Sequence, residues 1–243
     1  MSTSHPPIVT FYSFKGGAGR TTLMANIAAA LAHPEASGLP FTAKKILLWD
    51  LDIEAPGLHL LPGLRRDPMP ASGFIEWLAK LPTDGGKIGE KNYQAVKKLV
   101  YTAPQFANIG ILPAFGTKYP PEMYLTDWAY WFHQDAARGA DLLRQVAAQF
   151  TGYDYVFIDS RTGISDIGGL LTGVLPHLTV LIGQYTRQST RGLSQAWEAL
   201  NDTEMLKAAI SGCESLQPEA GSSEPHRYEL LIAVSIGPVK ARF

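Results

Sequence analysis

Eight consecutive residues, Lys15-Gly16-Gly17-Ala18-Gly19-Arg20-Thr21-Thr22, combine glycines, two cations and two hydroxyls in an arrangement suited to holding phosphate. An apolar, β-branched and aromatic run from Ile8 to Phe14 precedes them and reads as a buried strand; Thr21–Leu31 follows and reads as a helix. Strand, glycine turn and helix in that order form a phosphate-binding loop. Its glycines let backbone N–H groups of Gly17 to Thr22 close on phosphate oxygens, and the helix N-terminus adds partial positive charge. Thr21, in the first helical turn, stands where such loops offer Mg²⁺ a hydroxyl. The pattern G-x-x-x-x-G-K-[ST] is broken twice, by Phe14 at its first glycine and by Arg20 at its lysine. Arginine keeps the charge but is planar and longer, so the exchange is not conservative at a tight phosphate site. The competing reading is a glycine-rich strand–helix turn that holds no nucleotide.

Two further segments place acids at strand ends. Lys45–Asp52 (KILLWDLD) is apolar and closes on Asp50 and Asp52, and Tyr153–Gly163 (YDYVFIDSRTG) is a second hydrophobic strand ending in Asp159. Each alone reads equally well as an ordinary buried parallel strand with a capping Asp. Their order after the glycine loop gives them weight.

The elements between these loops alternate strand with helix, the pattern of βαβ units and a mainly parallel sheet. His33–Thr42, with Pro34, Gly38 and Pro40, reads as a loop. Gly73–Leu81 has helical spacing, and Pro82–Gly89 is a polar break. Val96–Tyr101 and Asn108–Pro113 read as short strands, and Asp127–Phe150 as a helix that opens on Trp128, Tyr130, Trp131 and Phe132. That aromatic stripe reads as core or as a partner surface. Ile164–Leu175 is a Gly-rich loop and helix, Leu178–Gly183 a buried strand, Thr190–Leu206 its helix, Glu214–His226 a surface loop and Tyr228–Val234 a last strand. Arg187 and Arg191 flank Gln188-Ser189-Thr190 and read as a solvated helix start or as a phosphate or partner contact.

At 243 residues and 46% hydrophobic, the chain can bury a substantial core and fits one α/β domain. A net charge of −1 gives no bulk attraction to nucleic acid. A single cysteine, Cys213, excludes an intrachain disulfide and a cysteine metal cluster, and the six histidines lack ligand-like spacing. The start MSTSHPP has no signal-peptide pattern, and no apolar run approaches the ~20 residues of a membrane span. Cytoplasm is the expected compartment.

Lys15–Thr22 resembles the deviant Walker A box, KGGxGKTT, of the ParA/MinD family of P-loop ATPases. With Arg20 it is similar to a KGGxGR subgroup often found as an ATPase module within larger bacterial proteins. Lys45–Asp52 resembles that family's A′ motif, VLLIDxDPQ, with Glu54-Ala55-Pro56-Gly57 as a different continuation. Tyr153–Gly163 resembles its Walker B segment, DxxxxDxPxG, with Arg161 in the place of the proline. The resemblance implies a P-loop NTPase fold of SIMIBI type. That is a three-layer α/β/α arrangement with a mainly parallel twisted sheet and helices on both faces. It implies one ATPase domain over 1–243, C-terminally truncated or part of a larger protein.

The function it implies is a switch that binds and hydrolyses Mg-ATP and forms an ATP-dependent homodimer, controlling a protein partner or fused domain. Lys15 would reach the partner subunit's nucleotide, and Arg20 would take over the usual lysine's phosphate contact. Gly16, Gly17, Ala18, Gly19 and Thr22 would line the phosphates. Asp52 would orient water, Thr21 and Asp159 would hold Mg²⁺ with Asp50 close by, and Thr162 and Gly163 would approach the γ-phosphate. ATP over GTP rests on resemblance alone, because Ser235-Ile236-Gly237-Pro238 lacks the family's adenine-contacting Asn. Two alternatives stand: a non-hydrolysing nucleotide sensor or regulatory module of a larger bacterial signalling or defence protein, in which Arg20 and Arg161 mark lost catalysis, and a bacterial tyrosine kinase, which normally adds a tyrosine-rich tail. Neither a nucleic-acid nor a membrane-binding feature is evident.

Overall fold

Apolar runs without alternation are what strands buried on both faces require, and they form the centre of this molecule. The computed structural model describes residues 5–82, 88–117, 136–163, 169–201 and 229–235. Its strands are β1 (Ile8–Ser13), β2 (Ile46–Asp50), β3 (Tyr101–Ala103), β4 (Phe106–Leu112), β5 (Tyr155–Asp159), β6 (Leu178–Gln184) and β7 (Glu229–Ser235). They form one sheet in the order β3-β4-β2-β5-β1-β6-β7. All neighbouring pairs are parallel except the antiparallel β3–β4.

The central strand β2 feeds two cores by alternation. Leu47 and Trp49 join a cluster with Phe74, Leu78, Val96, Leu143 and Val146, whereas Ile46 and Leu48 join one with Met24, Ala28 and Ala32. The first cluster is completed by helices α2 (Phe74–Leu78), α3 (Glu90–Val96) and α4 (Ala136–Ala148), and the second by α1 (Arg20–Ala32). Helices therefore cover both faces, giving the expected three-layer α/β/α fold.

Among the described residues, most sequence expectations hold within a few residues; most of Pro82–Gly89, the start of Asp127–Phe150 and the end of Thr190–Leu206 lie outside them. One expectation does not hold: Val96–Tyr101 is not a strand. Glu90–Val96 is helical, Lys97–Leu99 is a 3₁₀ turn, and β3 begins only at Tyr101. Tyr93 and Val96, three residues apart, share the buried face of α3, so helical spacing outweighs the β-branched composition. Pro104 and Gln105 then form the turn that sends β4 back antiparallel to β3. Helix α5 (Arg187–Asn201) starts three residues before Thr190, because the Thr186 hydroxyl accepts the Ser189 N–H at 3.2 Å and caps it. Arg187, Gln188, Ser189, Thr190 and Arg191 are thus its first turns. Of Ile164–Leu175, the described part is a π-helical turn at Leu170–Val174. The Trp128, Tyr130, Trp131 and Phe132 stripe, the Glu214–His226 segment and the Ser235–Pro238 region beyond Ser235 lie outside the described residues. Among the described residues no helix is long and apolar enough to cross a membrane.

The contact between β1 and α5 explains Phe14. A Cβ placed on Gly192 of α5 would collide with the Phe14 ring, so the residue that breaks the loop's glycine pattern packs flat against a glycine elsewhere. Gly192→Ala is expected to cost about 1–3 kcal/mol in denaturant unfolding, as overpacking does. Combining it with Phe14→Ala should recover part of that loss. Strict additivity of the two changes would remove this packing account.

Candidate functional site

The parallel register brings the chemistry-bearing residues to one edge of the sheet. Asp159 stands opposite both Phe11 of β1 and Asp50 of β2, so the loops after β1, β2 and β5 open side by side at the C-terminal strand ends. In open α/β sheets ligands bind outside the carboxyl ends of the strands, where the order of the strands reverses.

The loop after β1 turns on Gly17 (φ 74°) and Gly19 (φ 82°), both left-handed, a region that side-chain-bearing residues rarely adopt. Gly19 is also the residue before α1; no side chain caps the helix and no acid lies in its first turn. The first backbone N–H groups of α1 therefore have no intrahelical acceptor and face outward with the positive end of the helix dipole. A Cβ on Gly16, Gly17 or Gly163 would meet no atom within 4 Å, so the space over the loop is open.

Immediately behind it lies a buried ionic cluster. Arg20 is 6% exposed and donates from Nε to Asp159 Oδ1 and from Nη2 to Asp52 Oδ2, each at 2.5 Å. The Thr21 hydroxyl donates to the other Asp159 oxygen at 2.7 Å. The third guanidinium nitrogen, Nη1, is buried with no acceptor among the described residues. Burial pulls the Arg20 pKa down, but Asp159 and Asp52 outweigh it and hold the guanidinium above its ordinary value. Burial pushes Asp159 up, against the pull of Arg20 and the Thr21 hydrogen bond. Burial also drives Asp50 well above the usual carboxylate range, helped by Asp159 and Asp52. Tyr12, on β1, is pushed up to about 12 by burial despite the pull of Arg20.

Asp50 has a different occupation from its neighbours. Its two oxygens accept the backbone N–H of Asp52 (3.1 Å) and of Leu58 (3.3 Å), which folds the loop after β2 back over the strand end. Asp50 thereby shapes the loop that presents Asp52. Among the described residues, no three His, Cys, Asp or Glu side chains are grouped as a metal site. The donors present fit a cation that takes most of its ligands from water and phosphate, as Mg²⁺ does, with Thr21 and Asp159 as the protein's share.

Lys15 is exposed and donates to Gln188 Oε1 at 2.9 Å, within its own chain. Gln184, at the end of β6, donates to the Gly17 carbonyl at 2.7 Å. The β6–α5 connection thus holds the glycine loop at two points, through residues for which the sequence offers no signal because the partners lie more than 160 positions away. Arg161, in the loop after β5, pairs with Glu54 at 2.7 Å and links that loop to the one carrying Asp52. Both side chains are partly solvated, so this pair adds little stability. Thr162 and Gly163 follow it, with Gly163 left-handed at φ 83°. Ala18 is buried under the loop, and Thr22 is exposed on the first turn of α1.

No protein-family model matches the sequence, and no curated protein does. Solved structures do. The MinC:MinD cell division protein complex of Aquifex aeolicus matches with a TM-score of 0.55 at 18% identity, covering 93% of this chain and 68% of that one. A substituted form of Cyanothece McdA in complex with ATP matches with a TM-score of 0.57 at 16% identity, covering 95% and 70%. The kinase domain of the Escherichia coli tyrosine kinase ETK matches with a TM-score of 0.54 at 14% identity, covering 100% and 72%. With β1 set between β5 and β6 in the sheet and its glycine loop leading into α1, the chain shares the α/β fold of the MinD, McdA and ETK kinase-domain structures.

Proposed function

We propose that this chain is a nucleotide-dependent switch of ParA/MinD type that binds Mg-ATP, hydrolyses it slowly, and dimerises with ATP to control a protein partner or fused domain. The observation that carries the reading is the uncapped α1 N-terminus over two left-handed glycines, with Thr21, Asp52 and Asp159 gathered directly behind it. An ATP complex within a protein of the same fold supports the choice of ligand.

In this reading the backbone N–H groups of Gly17 to Thr22 hold the phosphates, and Thr21 and Asp159 hold Mg²⁺. Mg²⁺, when bound there, supplies positive charge to the phosphate oxygens. Asp52 orients the attacking water and takes its proton, and Arg20 gives its unpaired Nη1 to a phosphate oxygen. Thr162 and the left-handed Gly163 sit on the loop that would register loss of the terminal phosphate. Lys15, released from Gln188, extends to the nucleotide of a second copy. Lys15→Ala is expected to abolish ATP-dependent dimerisation in sedimentation while leaving monomer affinity within about three-fold, an exposed lysine contributing little to one subunit alone. ATP-driven dimers of that variant would end the role.

A second reading, a sensor that binds nucleotide without hydrolysing it, is favoured by the hold of Arg20 on both Asp52 and Asp159. Calorimetric titration with Mg-ATP and Mg-GTP, followed by phosphate release, separates the readings. Micromolar ATP binding with steady phosphate release supports the switch, binding without release supports the sensor, and no binding of either nucleotide removes both.

A further inference from the structure

The cluster behind the glycine loop is already neutralised by the chain itself. Both Asp159 oxygens are taken, Oδ1 by Arg20 Nε and Oδ2 by the Thr21 hydroxyl. The Asp52 oxygen Oδ2 is taken by Arg20 Nη2. One guanidinium, 6% exposed, therefore spans the carboxylate assigned to Mg²⁺ and the carboxylate assigned to water. Arginine suits this bridging because its nitrogens form a rigid planar fork, whereas lysine offers a single point charge. Three buried carboxylates converge here, and Asp50 spends its oxygens on backbone amides. Arg20 is the cation that offsets the other two. Its Nη1 has no acceptor among the described residues, which leaves one buried donor without a described protein partner. An unpaired buried donor is costly, and an anionic oxygen is the partner that relieves it best.

We propose that Arg20 is a resident cation that competes with Mg²⁺ for Asp159 and Asp52, so that the chain takes up nucleotide phosphate without metal and Mg²⁺ enters only by displacing the guanidinium. This rests on the nucleotide-binding reading for its phosphate half alone; the competition with the metal stands on the side chains already in contact. Loading and activation become separate events. Phosphate meets Gly17–Thr22 and Nη1 while the acids remain bridged, and Asp52 becomes free to act only when the bridge opens.

The test uses the full chain and its Arg20→Lys variant, which preserves charge, so that a difference reports the lost bridge and not the lost cation. Mn²⁺ binding to nucleotide-free protein is followed by electron paramagnetic resonance, and binding of a fluorescently labelled ATP is measured in EDTA and in excess Mg²⁺. Mn²⁺ is expected to bind the variant at least about ten-fold more tightly, the scale on which neighbouring groups tune metal affinity. Mg²⁺ is expected to change labelled-ATP affinity by less than about three-fold in the native chain and by about ten-fold or more in the variant. Equal Mn²⁺ affinity in the two proteins, or a ten-fold dependence on Mg²⁺ in the native chain, overturns the proposal.

A second measurement needs no variant. The Arg20 Nε–H of the native, metal-free chain should appear in nitrogen-15 spectra as a proton protected from solvent exchange, and that protection should vanish on saturation with Mg²⁺ and ATP. An unprotected Nε–H in the metal-free chain also overturns it. If labelled ATP binds under no condition, the nucleotide reading falls, while Mn²⁺ affinity and metal-free Nε–H protection still decide whether Arg20 holds the metal position.

Discussion

Replacing Arg20 by Met lowers the unfolding midpoint by roughly 10 °C near neutral pH, and by much less in mild acid. The physical reason is asymmetric. A buried ion pair adds little relative to a well-packed apolar core, but removing one partner strands the other in a medium that cannot solvate it, which costs about 3–5 kcal/mol. Arg20 is the cation for two carboxylates at once, and Asp159 beneath it is 0% exposed. At this chain length about 3–5 kcal/mol corresponds to roughly 6–20 °C.

The pH dependence follows from the signs. Burial raises Asp159 and Asp50 above their ordinary carboxylate values. A carboxyl whose folded pKa is raised binds its proton more readily in the folded state. Its favourable contribution is complete below the unfolded pKa and is lost as pH rises through the folded one. Without Arg20, which pulls Asp159 down, that folded value climbs further and the penalty at neutral pH grows. As the pH falls through that higher value, Asp159 protonates in the folded variant and the difference from the native chain shrinks. Calorimetric melts of both proteins at about pH 8 and about pH 5 check this. An equal shift at both would mean that Arg20 contributes packing and not charge.

The second large effect concerns turnover. Asp52→Asn is expected to lower phosphate release by about 10²–10⁴-fold, the range attributed to a positioned general base, while ATP affinity stays within a few-fold. Asn has nearly the shape of Asp, and its single amide oxygen can still accept from Arg20 in place of Asp52 Oδ2, giving up only the longer Ala55 N–H contact that Asp52 Oδ1 makes at 3.4 Å. The change therefore removes the charge and the proton acceptor without dismantling the loop. Asp50, fixed to the Asp52 and Leu58 amides, continues to shape that loop. Single-turnover phosphate release beside equilibrium binding separates the two effects. Unchanged release would take Asp52 out of the chemistry, and lost binding would make it structural.

The sequence by itself determined the strand, glycine turn and helix of the phosphate loop, the two acid-ending strands and the three-layer α/β character. These are local facts: runs apolar on both faces, glycines where φ must be positive, and hydroxyls at helix starts all lie within a few residues of their cause. It misread Val96–Tyr101, where a strand-like composition yields to the burial of Tyr93 and Val96 on one helical face. Only the tertiary structure decided where charge goes. Asp52 and Asp159 lie more than 30 and more than 130 positions from Arg20, and nothing local in the chain says that one guanidinium will bridge them. Nor does the sequence assign Asp50 to two backbone amides, Phe14 to the face of Gly192, or Gln184 and Gln188 to the glycine loop. Parallel register sets which strand ends adjoin, and burial among them makes a charge find its partner; both are properties of the assembled sheet.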